Sequence, residues 1–176
     1  MNLSLSINRR RVFKCLAYIA VTTLAYVLAT ARSSAAEYWL PTMNIMPFIA
    51  AALGFYEGPY MAGAMGFYGG MLLSLSSSTT EGAEAIILGL FGVFCGSVGV
   101  TLMRRMLPSC MTCAFGLMAA RGVISATYYR IFYSISFSGV LLSHLEIMAV
   151  SLIPGAACYF IVAAISRRFD NEEEGQ

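Results

Sequence analysis

Apolar residues in this chain neither alternate nor mark a single helical face. They run on in blocks, separated by short polar or basic clusters. Six blocks stand out, at 13–31, 40–56, 59–75, 83–103, 111–129 and 145–165. A bilayer core of about 30 Å needs roughly 20 apolar residues per helix and tolerates about 17. Each block meets that length, and together they use most of the chain. The pattern therefore predicts an all-α integral membrane protein, a compact bundle of six transmembrane helices. It divides into a cytoplasmic basic N-terminus over 1–12, a transmembrane domain over 13–165 and a cytoplasmic tail over 166–176.

The second and third blocks meet at Glu57-Gly58-Pro59 and would make one long helix if the turn were helical. Proline is well placed at a helix start and poor inside one, which favours two helices. Charge placement gives an independent argument. Arg9, Arg10, Arg11, Lys14, Arg104, Arg105, Arg167 and Arg168 fall on one side only if there are six spans with both termini inside. The other side then keeps Arg32 and Arg130. Lysine and arginine are biased to the cytoplasmic side, so this topology is the expected one. A basic segment, an apolar stretch and Ala29-Thr30-Ala31 also mimic a cleavable signal peptide. The first block is long enough to span and further spans follow it, so it is read as retained.

Composition agrees. Of 176 residues, 59% are hydrophobic and 11% charged, against about 45–50% and 25% in a soluble domain. A water-soluble globule of this size has too little interior to hide so much apolar side chain. Disorder is excluded by the same balance, and a disulfide-knit secreted domain by the presence of only 5 Cys. A net charge of +2, with no basic patch clear of the membrane flanks, gives no sign of a nucleic-acid partner.

Small residues recur at four-residue spacing. Ala62, Gly66 and Gly70 do so in the third block, Gly92 and Gly96 in the fourth, and Ala25 and Ala29 in the first. In lipid, helices associate where small residues let backbones approach closely. Packing inside one bundle is the first explanation for these stripes, and a surface for another membrane protein the second.

Arg121 lies within the fifth block, where a charge costs at least about 2.5–3.5 kcal/mol on insertion scales. It is expected to face the bundle or a wet cavity, with Glu84 and Glu146 as candidate partners. Glu57, on the inner turn, is expected in solvent or against a cytoplasmic partner. Tyr128, Tyr129, Phe132, Tyr133 and Phe137 read as an interfacial aromatic belt.

No catalytic constellation emerges. The only Asp is Asp170, in the tail, which leaves no aspartyl pair. The sole histidine, His144, lies close to Ser138 in an expected outer loop, unlike a preformed protease pair. Cys110 and Cys113 form a CxxC without the second pair or nearby His that a zinc site needs. Cys15, Cys95 and Cys158 are expected only to pack. The expectation is a protein that is not an enzyme and carries no metal or cofactor.

The stretch EGPYMAGAMGFYGGMLLSLSSSTTEGAEAIILGL, residues 57–90, resembles the rod-shape-determining protein MreD family. That family shows a short charged turn, a span of the form G…GF..GLLLD, a small polar loop and G..AL opening the next helix. Gly63, Gly66-Phe67, Gly70-Met71-Leu72-Leu73, Gly82 and Ala85 occupy those places, and Pro47 fits as well. Ser74 stands at the family's frequent Asp, and Glu84 at the polar position before Ala85. FKCLAYI near the start and IPGAACYFIVAAISRRF near the end extend the likeness loosely.

The resemblance implies a non-enzymatic scaffold of the bacterial cell membrane that helps maintain rod shape. Its implied partners are an MreC-like membrane protein, the MreB cytoskeleton, and the SEDS polymerase with its transpeptidase. A partner surface is then expected on Gly66, Gly70, Gly92 and Gly96, with Glu57 as a cytoplasmic contact. Chains of this kind share six-span size and an S-component-like fold with the substrate-binding subunits of energy-coupling-factor vitamin transporters. In that alternative, Trp39, Glu37, Arg121 and Glu146 line an outward pocket.

Overall fold

The computed structural model describes the backbone of residues 2–31, 44–76, 82–101, 106–134 and 136–174, with side chains over 12–30, 44–75, 82–99, 101, 106–134 and 136–169. The described residues form six helices: α1 (Asn2–Ala31), α2 (Met46–Glu57), α3 (Pro59–Ser76), α4 (Ala83–Thr101), α5 (Leu107–Tyr133) and α6 (Phe137–Glu174). Three of them, α1, α5 and α6, are long and apolar enough to cross a membrane.

Proline and left-handed residues punctuate the chain. Pro59 opens α3, and prolines sit in the first turns of α2 and α5, where their missing N–H leaves no hydrogen bond unmade. Gly58 takes φ 88° between α2 and α3, and Gly82 takes φ 77° just before α4. Ser134 adopts φ 54° after α5, its N–H donating to the Tyr129 carbonyl, which closes the helix end. Within helices, Thr22, Ser74, Ser97, Thr101, Thr112 and Thr127 donate to the carbonyl four residues back. The hydroxyls are thereby satisfied without leaving the helix.

α2 is the centre of the molecule. Met46 through Phe55 are all buried, and α2 touches each of the other five helices. It is shorter than the block at 40–56 suggests. At 1.5 Å per residue its 12 residues reach about 18 Å, well under a bilayer core. Residues 40–43 lie outside the described residues. Phe48 shows how tightly α2 is held: its ring stands edge-on to Phe115 with centroids 6.1 Å apart. A Cβ placed on Gly155 of α6 would come within 2.5 Å of the same ring.

The hydropathy blocks underestimate α5 and α6. The expected loop between 129 and 145 is helix on both sides, so the turn shrinks to residues 134–136. Ser138 and His144 thus lie on α6 rather than in a loop. Tyr128, Tyr129, Phe132 and Tyr133 cluster on the last turns of α5, with ring centroids 4.7–6.2 Å apart. An α-helix closes its own hydrogen bonds whatever its side chains, so a mixed polar and aromatic segment extends it as readily as an apolar one.

Candidate functional site

The four glycines assigned to a partner surface do not form one. α3 and α4 lie antiparallel and are the most extensively paired helices of the bundle. A Cβ on Gly66 would collide with the Leu88 carbonyl, one on Gly70 with Ala85, one on Gly92 with the Ala62 carbonyl, and one on Gly96 with Pro59. The obstacles are backbone, which cannot move aside as a flexible side chain can. On α2, Gly54 meets α4 in the same way, its Cβ position 2.7 Å from the Gly96 nitrogen. The small-residue stripes therefore let α2, α3 and α4 close on one another within the chain. Gly66, Gly70, Gly92 and Gly96 are filled from inside.

Outward, the α3–α4 hairpin presents Phe67, Met71, Leu75, Ile86, Leu90 and Phe94, all exposed. Ser74 donates to the Gly70 carbonyl, and Ala25 is buried on α1.

Arg121 finds one of its two candidate partners. Its guanidinium donates to the Glu84 carboxylate across α5 and α4. Glu146 is exposed and is not that partner. Glu84 belongs to the first turn of α4, where the helix dipole favours a carboxylate. Its side chain is 9% exposed and that of Arg121 25%, so the pair is largely withdrawn from solvent. Only one carboxylate oxygen is used: Glu84 Oε2 is buried and accepts no hydrogen bond from the described residues.

Beside this pair lies a half-open cavity of about 210 Å³, lined by Asn44, Leu73, Met118, Arg121, His144, Ile147 and Met148. The Asn44 backbone N–H donates to Ser151 Oγ at 2.9 Å, and Ser151 is fully buried. Asn44 Oδ1 is a second buried acceptor without a donor among the described residues. Gly122 makes room for the His144 ring, which would lie 2.9 Å from a Cβ at that position. A guanidinium, an imidazole and the unpaired Asn44 acceptor around one small cavity can hold a polar molecule by both donors and acceptors. Asn44 and His144 carry no sequence signal for this; a lone Asn before a helix and a lone His within one reveal nothing about what they meet. Trp39 and Glu37, expected to line an outward pocket, lie outside the described residues.

At the other end of the bundle, Glu57 is largely withdrawn from solvent and is paired within the chain. Lys14 Nζ stands 2.8 Å from its Oε1, and the Tyr18 hydroxyl donates to the same oxygen at 2.7 Å. The Glu57 side chain is 13% exposed. The carboxylate ties α1 to the α2–α3 turn.

The chain matches no family model, no curated protein and no solved structure.

The five cysteines are all free thiols, with Cys95 and Cys110 fully buried. Among the described residues no group of three His, Cys, Asp or Glu side chains is placed to hold a metal ion. Ser138 Oγ pairs with Ser136 Oγ at 2.9 Å, and not with His144.

Proposed function

We propose that the chain is a non-enzymatic scaffold of the bacterial cell-elongation machinery, similar to the MreD proteins. In this reading it crosses the cytoplasmic membrane six times with both termini inside. It couples an MreC-like protein and the MreB cytoskeleton to the SEDS polymerase and its transpeptidase. One observation carries the reading: the stretch that bears the resemblance is the α3–α4 hairpin, and its glycines are the points where two helices touch backbone to backbone. A motif of that kind builds a stiff membrane platform and leaves the opposite face of the hairpin for recognition. The reading accordingly moves the partner contact to Phe67, Leu90 and Phe94, which are exposed.

A photo-reactive amino acid at Leu90 or Phe94, activated in cells, tests it. Crosslinks to an MreC-like protein or a peptidoglycan polymerase are the expected result. Crosslinks to lipid alone from both positions would overturn it.

The cavity beside Arg121 favours a second reading, the vitamin-binding subunit of an energy-coupling-factor transporter. Arg121, His144 and Asn44 among its apolar lining suit a small polar solute, while its volume of about 210 Å³ is below the roughly 300–1,000 Å³ usual for a ligand pocket. Recovery of energising subunits in the same crosslinks, or of a bound vitamin on purification, would displace the scaffold reading.

A further inference from the structure

A second hollow, unrelated to Arg121, opens at the end of the bundle where Lys14 meets Glu57. It is a groove of about 520 Å³, open on one side, between the end of α2, the start of α5 and the later part of α6. Met106, Leu107, Pro108 and Phe160 give it an apolar wall, and Ala163 and Ala164 keep one side flat. Arg167 stands at its rim, exposed, and no carboxylate among the described residues pairs with it. Inside the groove, Tyr56 donates its hydroxyl to that of Tyr159 at 2.9 Å.

The groove changes character along its length in the way a phospholipid does. The long apolar run of α6 ends at Ile165, and Arg167 and Arg168 follow within three residues, so the arginines mark the level where lipid tails give way to headgroups. Tyrosines at this level are amphipathic, with an apolar body and a polar tip. The acidic residues of α6 begin at Asp170, farther along the helix than the apolar wall. A soluble anion would have no use for that wall, and an apolar helix none for the arginine. Basic pockets between membrane helices on the cytoplasmic side suit anionic headgroups, and a guanidinium binds phosphate oxygens in pairs.

We propose that the groove between α2, α5 and α6 binds an anionic phospholipid, its phosphate on Arg167 and an acyl chain along Leu107, Phe160 and Ala164. This site is independent of the scaffold reading. It needs only that the bundle sits in a membrane with this end on the cytoplasmic side.

The test is native mass spectrometry of the full chain in mild detergent, titrated with phosphatidylglycerol or phosphatidylcholine. The wild type retains phosphatidylglycerol over phosphatidylcholine. Arg167→Gln lowers phosphatidylglycerol retention by about fivefold, equivalent to the ~1 kcal/mol that one basic residue contributes at an anionic membrane surface. Ala164→Phe, which fills the groove without touching charge, lowers retention of phosphatidylglycerol as well. Arg130→Gln, the same charge change at the far end of α5, leaves it unaltered. Both groove substitutions fall at exposed positions, so folding is preserved. Equal retention of the two lipids by the wild type would overturn the proposal. So would equal losses from Arg167→Gln and Arg130→Gln, or an Ala164→Phe variant that binds like the wild type.

Discussion

The guanidinium of Arg121 and the carboxylate of Glu84 meet across two helices, 37 residues apart in sequence. Each needs the other, because either charge alone in that place would be largely cut off from water. Glu84→Gln leaves Arg121 without its counter-charge and is expected to destabilise the fold by about 3 kcal/mol, in the range for breaking a buried pair. Replacing both, as Glu84→Gln with Arg121→Met, is expected to restore most of that loss. Thermal unfolding of the single and double variants in one detergent measures the difference. A double variant as unstable as Glu84→Gln would show that the pair is not the source of the effect.

Glycines of one chain are expected to differ sharply in what they tolerate. Gly92→Ala drives a methyl into the Ala62 carbonyl and Gly66→Ala into that of Leu88, so both should lower the melting temperature markedly. Gly116 has nothing within 4 Å of its Cβ position. Gly116→Ala should leave stability unchanged or raise it by up to about 1 kcal/mol, since alanine has less conformational freedom to lose. Equal effects at all three positions would contradict the close approach of α3 and α4.

Lys14, Tyr18 and Glu57 bind α1 to the α2–α3 turn. Glu57→Gln and Lys14→Met are expected to couple, with an interaction of roughly 1 kcal/mol in a double-mutant cycle. Additive losses would mean that the two side chains act separately.

Thiol reactivity reads out the core directly. Cys95 and Cys110 are 0% exposed, whereas Cys15 and Cys113 are partly accessible. A membrane-permeant maleimide should label Cys15 and Cys113 in the folded protein. Cys95 and Cys110 should react only after denaturation, as peptide mapping by mass spectrometry would reveal.

The sequence announced the six helices, but placed only the starts of α3 and α4, which proline and glycine mark locally. Pro59 and Ala83 open α3 and α4 where the apolar blocks begin. The ends of α1, α2 and α3 also fell within a residue of their blocks, and the sequence was least informative around the α5–α6 turn. Residues 130–133 and 137–144 carry no continuous apolar signal, yet α5 and α6 run through them. Glu84 and Glu146 were equivalent candidates for Arg121 as long as the pairing of α4 with α5 was unknown. The role of the glycines hung on the same question: four-residue spacing names a close approach without naming the helix that makes it. Lys14 with Glu57, and Asn44 with His144, are meetings between distant positions with no shared local pattern, so only the fold brings them to notice.

α2 is enclosed by five other helices, so a residue such as Leu53 or Ala51 meets no lipid in the finished molecule. Twelve residues fall short of what a bilayer retains unaided, and α2 is joined to α3 through Gly58 alone. In the membrane reading α2 therefore depends for its place on the helices long and apolar enough to cross, α1, α5 and α6, all of which it touches.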